Sequence, residues 1–116
     1  MSCAGSLTIL NKTGVTLTAS RVTKLNDDAN FSGVSNGTTI EDGNQITINM
    51  SNNSVFFAPR GVGVEVTLSY EGSKHVTLHL DVPAVGAHTL NSRDALDITV
   101  SEASNPGNNA YTQVLT

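Results

Sequence analysis

A glycine-flanked serine, Gly33-Val34-Ser35-Asn36-Gly37, has the spacing of a hydrolase nucleophile elbow, in which a sharp turn between a buried strand and a helix exposes the seryl oxygen. Its flanks are Asn, Asp, Ser and Thr without helical periodicity, so the stretch reads as a glycine-rich turn. Gly61-Val62-Gly63 lacks the third glycine and the helix whose N-terminus would hold a phosphate. His75 and His79 are close in sequence, but four residues of strand span about 13 Å, too far for both to ligate one metal ion. His88 has no carboxylate or cysteine nearby. Nucleophile, base and orienting group do not assemble from these residues, and the expectation is a protein that is not an enzyme and uses no cofactor.

Asn26-Asp27-Asp28-Ala29-Asn30 offers oxygen ligands at alternate positions, as a calcium loop does. Phe31 stands where the sharp turn of such a loop wants glycine, and Gly37 where the bidentate glutamate belongs, so a solvated turn without a metal ion is expected. An oxygen cage that also draws on Glu41 and Asp42 is the calcium alternative. The candidate ligand-binding residues are therefore Asn26, Asp27, Asp28, Asn30, Glu41 and Asp42, and a glycan held by these polar loops is the ligand class left open.

Five Asn-X-Ser/Thr triplets begin at Asn11, Asn30, Asn36, Asn49 and Asn52, a number that a chain with 12 Asn, 14 Thr and 12 Ser generates by chance. A single cysteine, Cys3, forms no internal disulfide, which agrees with a reducing compartment. The net charge is −4 and the six Lys and Arg stand singly, leaving no basic stripe for phosphates, so nucleic acid is not an expected partner. Apolar runs such as Leu7-Thr8-Ile9-Leu10 fall far short of the roughly 18 residues of a membrane span, and a soluble cytoplasmic chain is expected. Surfaces that stack on sugars or settle among lipid headgroups display Trp or Tyr. Trp is absent here, Tyr70 falls on an inward position, and Tyr111 is the exposed candidate; of Phe56 and Phe57 one should face the core.

The elements that must position these groups are strands. Hydrophobic residues make up 38% of the 116 residues and charged ones 14%, both below the usual share, with neutral polar residues in their place. Period-two alternation recurs from end to end and no window sustains a helical period. It is clearest over Val62 to Tyr70, with Val62, Val64, Val66, Leu68 and Tyr70 on one face; after Glu71-Gly72-Ser73 it resumes with Val76, Leu78, Leu80 and Val82 inward. A hairpin symmetric about Gly72 sets Ser69 opposite His75, Thr67 opposite Thr77 and Glu65 opposite His79 on the outer face. Further strands are predicted at 7–11, 15–25, 45–50, 55–58, 96–101 and 110–115, with residues 26–39 a surface loop. About eight short strands pack as two sheets, so the fold class is all-β, a single antiparallel β-sandwich over residues 1–116. Its predicted core includes Val64, Val66, Leu68, Val76, Leu78, Leu80, Ile98 and Val100.

Leu7-Thr8-Ile9-Leu10-Asn11-Lys12-Thr13-Gly14, Ile40-Glu41-Asp42-Gly43, the stretch from Gly61 to Tyr70, and Val82-Pro83-Ala84-Val85-Gly86 follow one another in an order that resembles the β-sandwich pattern of aegerolysins and related lectin-like fungal proteins. Over the whole chain the sequence is similar to the abundant perithecial protein group of filamentous fungi. That resemblance implies a non-enzymatic protein accumulated in fruiting bodies. Aegerolysin-type lipid binding is a further implication, although tryptophan is absent. The segment Arg93-Asp94-Ala95-Leu96-Asp97-Ile98-Thr99-Val100 resembles the entry to the last strand of a βγ-crystallin Greek key, without the paired Ser or Thr of its calcium motif. The functional expectation is an abundant structural or storage-like protein, crystallin-like in role, with a carbohydrate-binding lectin-like protein as the alternative and membrane-lipid binding third.

Overall fold

Alternating side chains bury one face of a strand and leave the other in water, and here that pattern builds ten strands among the described residues. The structure is a computed structural model and describes residues 2–26, 29–53, 61–83, 87–105 and 109–116. In chain order the strands are β1 (Ser2–Asn11), β2 (Leu17–Lys24), β3 (Asn30–Ser32), β4 (Thr39–Ile40), β5 (Gln45–Asn53), β6 (Val62–Tyr70), β7 (Lys74–Val82), β8 (Thr89–Arg93), β9 (Val100–Asn105) and β10 (Ala110–Leu115). They form two five-stranded sheets, β3-β5-β1-β10-β9 and β4-β2-β6-β7-β8. The described residues contain no helix, and so none long and apolar enough to cross a membrane. Leu7, Ile9, Ile48, Tyr111 and Leu115 from the first sheet share one apolar cluster with Leu17, Val64, Val66, Leu68, Leu78 and Leu80 from the second.

The β6–β7 hairpin has the expected register throughout: Glu65 pairs with His79, Thr67 with Thr77 and Ser69 with His75. Glu71 and Gly72 both adopt left-handed backbone angles, closing the three-residue loop. The six core residues expected from these two strands are wholly buried, and Ile98 and Val100 pack against the cluster partly buried.

Four expectations change. The described residues hold ten strands where about eight were expected, because β3 and β4 have three and two residues, too short to show alternation. The 26–39 stretch is thus not a plain loop: it leaves the second sheet, adds β3 to the edge of the first beside β5, and returns as β4. The arrangement is not wholly antiparallel either, since β1 and β10 run parallel, with Leu7 opposite Tyr111 and Asn11 opposite Leu115. Alternation fixes which face a side chain takes but not strand direction, and a parallel pair needs a long crossover, here nearly the whole chain. Lastly, of the strand predicted at 96–101 only Val100 and Ser101 are extended, as the start of β9. Asp94 and Asp97 take left-handed angles incompatible with extended chain, Leu96 is 57% exposed, and β9 begins only at Val100. The predicted strand at 55–58, with Phe56 and Phe57, lies outside the described residues.

One irregularity positions the site. The β2–β6 pairing shifts between Ala19, opposite Leu68, and Arg21, opposite Thr67. Without this bulge the inward series Leu17, Ala19 would continue at Arg21; with it, Ser20 and Arg21 are both exposed and Val22 comes opposite Val66. The glycine-flanked serine stretch holds the bulge in place. Gly37 donates its N–H to the Ala19 carbonyl at 2.7 Å, and the Asn36 side-chain oxygen accepts the Val22 N–H at 3.1 Å.

Candidate functional site

The outer face of the second sheet carries the densest polar arrangement. Register sets Arg21, Thr67, Thr77 and Arg93 in one row across β2, β6, β7 and β8, with the Thr67 and Thr77 hydroxyls 3.0 Å apart in the middle. Above this row the Ser69 hydroxyl donates to Ser20 at 2.8 Å, and Ser20 in turn donates to the Thr67 carbonyl at 3.2 Å. A groove of about 410 Å³ runs over these residues and is also lined by Lys74, His75 and Asp94.

Below the row, Arg93 grips Glu65 with two hydrogen bonds of 3.0 Å, and His79 Nδ1 lies 2.9 Å from the same carboxylate. The Arg93 bonds first, then the His79 contact, hold the Glu65 carboxyl down from the usual 4.5 to about 2. At the hairpin end, Lys74 bridges Asp97 at 2.7 Å and Glu71 at 3.0 Å, and these two carboxylates push its ammonium pKa up. Tyr70, buried as expected, donates its hydroxyl to the Leu96 carbonyl and pins the β8–β9 connection to the sheet. These are structural ties.

The four candidate ligand residues that are described, Asn26, Asn30, Glu41 and Asp42, fall into two groups. Asn26 follows β2 and Asn30 opens β3, whereas Glu41 and Asp42 follow β4, which pairs with the first residues of β2. The length of β2, roughly 20 Å at 3.3 Å per residue, separates the two groups. Asn30 is exposed opposite Ser51, and the Asn26 side-chain oxygen is buried without a hydrogen-bond partner among the described residues. Asp42 accepts the Gly14 N–H at 2.9 Å and Glu41 lines a shallow hollow of about 490 Å³ with Asn44 and Gln45. Asp27 and Asp28 lie outside the described residues. Among the described residues no three His, Cys, Asp or Glu side chains group as metal ligands.

No protein-family model and no curated protein sequence matches the chain. A solved structure does. IP-1A from Alcaligenes faecalis superposes with a TM-score of 0.65 at 16% sequence identity, over 99% of this chain and 89% of that one. The likeness is one of fold.

Ser35 sits in a turn with no helix after it: its N–H donates to the Thr38 hydroxyl at 3.0 Å and its carbonyl accepts the Thr38 N–H. The elbow geometry is therefore absent. Gly63 packs under the Leu25 side chain, which a Cβ at that position would meet at 2.7 Å. Tyr111 is not the exposed aromatic: it is 2% exposed, lies under His88 with ring centroids 4.7 Å apart, and its hydroxyl donates to Asn109. The Asn11 and Asn52 side chains are buried and bonded to backbone, which makes them unavailable as glycan acceptors. Sequence reasoning missed Arg21 and Arg93 as site residues. A signal existed for Arg21, since an arginine on the inward phase of an apolar strand requires either a buried partner or a bulge.

Proposed function

We propose that this chain is a non-enzymatic protein accumulated in the cytoplasm of fungal fruiting bodies as structural or storage-like material, crystallin-like in role, with its two sheets forming the faces of one β-sandwich domain. The observation that carries this reading is where the chemistry-bearing side chains go. Asn11 holds β1 to β4 and its own turn, Asn36 holds the bulge, Glu65 ties β6 to β8, and Lys74 fastens the connection after β8. Each is used to fix the backbone. A surface of neutral polar groups with net charge −4 also opposes self-association in concentrated solution. The sequence resemblance to the abundant perithecial protein group supplies the tissue. Quantitative mass spectrometry of fruiting bodies tests this: the protein should rank among the dominant soluble species there, and trace amounts in every tissue would contradict it.

A second reading, a carbohydrate-binding lectin-like protein, is favoured by the groove over Ser20, Thr67, Ser69 and Thr77, whose hydroxyls donate and accept as sugar hydroxyls do. Membrane-lipid binding finds less support, because both tyrosines are buried and do not serve as headgroup-level anchors.

A further inference from the structure

Three of the six Lys and Arg of this acidic chain, Arg21, Lys74 and Arg93, line one groove, together with His75 and a single acid, Asp94. Charge is distributed unevenly among them. Lys74 is held by Glu71 and Asp97, and Arg93 by both oxygens of Glu65. Arg21 is exposed and makes no side-chain hydrogen bond or ion pair with any described residue.

Arg21 is also placed deliberately by the backbone. The bulge turns it outward, and the 35–38 turn fixes that bulge through the Ala19 carbonyl and the Val22 N–H. Three strand spacings of about 4.8 Å separate the Arg21 and Arg93 backbones, so the two arginines stand at opposite ends of the row with the threonines between them, and the Arg93 guanidinium is turned to Glu65. A volume of about 410 Å³ falls within the roughly 300–1,000 Å³ of small-ligand clefts.

We propose that this groove binds a sugar bearing one carboxylate, with the planar fork of Arg21 taking the carboxylate and the hydroxyls of Ser20, Thr67, Ser69 and Thr77 taking the ring hydroxyls. A single carboxylate is the most the site takes: Arg21 alone of the three cations has no carboxylate partner among the described residues, while Asp94, Glu65, Glu71 and Asp97 outnumber those cations and oppose a more highly charged group. Arginine matches a carboxylate with two parallel hydrogen bonds, which a lysine at the same place does not reproduce. This inference rests on the carbohydrate-binding reading and specifies its ligand.

The test is a glycan array carrying uronate- and sialate-terminated oligosaccharides beside their carboxyl-methylated copies and neutral sugars, followed by titration calorimetry on any binder. The proteins are the wild type, Arg21→Ala and Arg21→Lys, with thermal melting to show that the variants fold. Binding to the acids but not to their methyl esters, weakened about tenfold or more by Arg21→Ala and only partly restored by Arg21→Lys, is the expected result. Equal binding of acid and ester, or unchanged binding by a folded Arg21→Ala protein, overturns the inference while the carbohydrate-binding reading stands. Binding to no sugar on the array overturns both.

Discussion

Glu65 on β6 and Arg93 on β8 meet through two hydrogen bonds of 3.0 Å although β7 lies between their strands. His79, on that intervening strand and directly opposite Glu65, reaches the same carboxylate at 2.9 Å. One carboxylate thus joins three strands and ties the edge strand β8 to the sheet.

This tie gives a pH dependence with a definite sign. Glu65 ionises at about 2 in the folded protein against 4.5 ordinarily, so its contribution is fully present above about 4.5 and is lost as pH falls from there toward 2. Urea unfolding at a series of pH values should show the wild type losing more stability across that window than Glu65→Gln. Parallel curves for the two proteins would contradict the assignment.

Gly33 is fixed by close approach. Its φ is +98°, and a Cβ there would lie 2.0 Å from the Thr47 carbonyl oxygen. Gly33→Ala should cost more than the roughly 1–2 kcal/mol of left-handed strain alone, measured by denaturant unfolding. Gly43→Ala, also at positive φ but with open space around the added methyl, should lose only about that strain.

Asn11 is buried, donates to the Val15 and Ile40 carbonyls at 2.7 and 2.8 Å, and accepts from the N–H and hydroxyl of Thr13. Asn11→Ala leaves buried groups unpaired and should destabilise the protein by about 1–3 kcal/mol or more. Lys12→Ala, on the exposed neighbour, should fall within about 0.5 kcal/mol.

Much of this architecture was legible from residue order. Val62 to Tyr70 and its partner strand alternate cleanly, so faces, register and the Glu65–His79 contact follow from one symmetric loop. Arg93 was not legible, because β8 has only five residues with exposed and half-buried positions alternating, and its partner is set by a third strand. The β1–β10 parallel pairing was hidden for a related reason: nothing local encodes contact between the two ends of a chain. The bound on Asn26 and Asp42 came from topology, since two residues sixteen apart in sequence sit at opposite ends of β2.

Because those residues are separated, removing divalent ions should leave folding unchanged. Melting curves in chelator, calcium and zinc should nearly coincide, whereas a site at 100 times its dissociation constant adds about 2.7 kcal/mol and several degrees. A calcium-dependent rise would restore the oxygen-cage reading.

We propose that the polar side chains of this protein serve a stable, non-associating fold suited to accumulation. Static light scattering of the purified protein from dilute to concentrated solution at neutral pH tests it most directly. The second virial coefficient should be positive and the apparent mass constant once repulsion is allowed for. A negative coefficient, with apparent mass climbing or the solution separating as concentration rises, would contradict it.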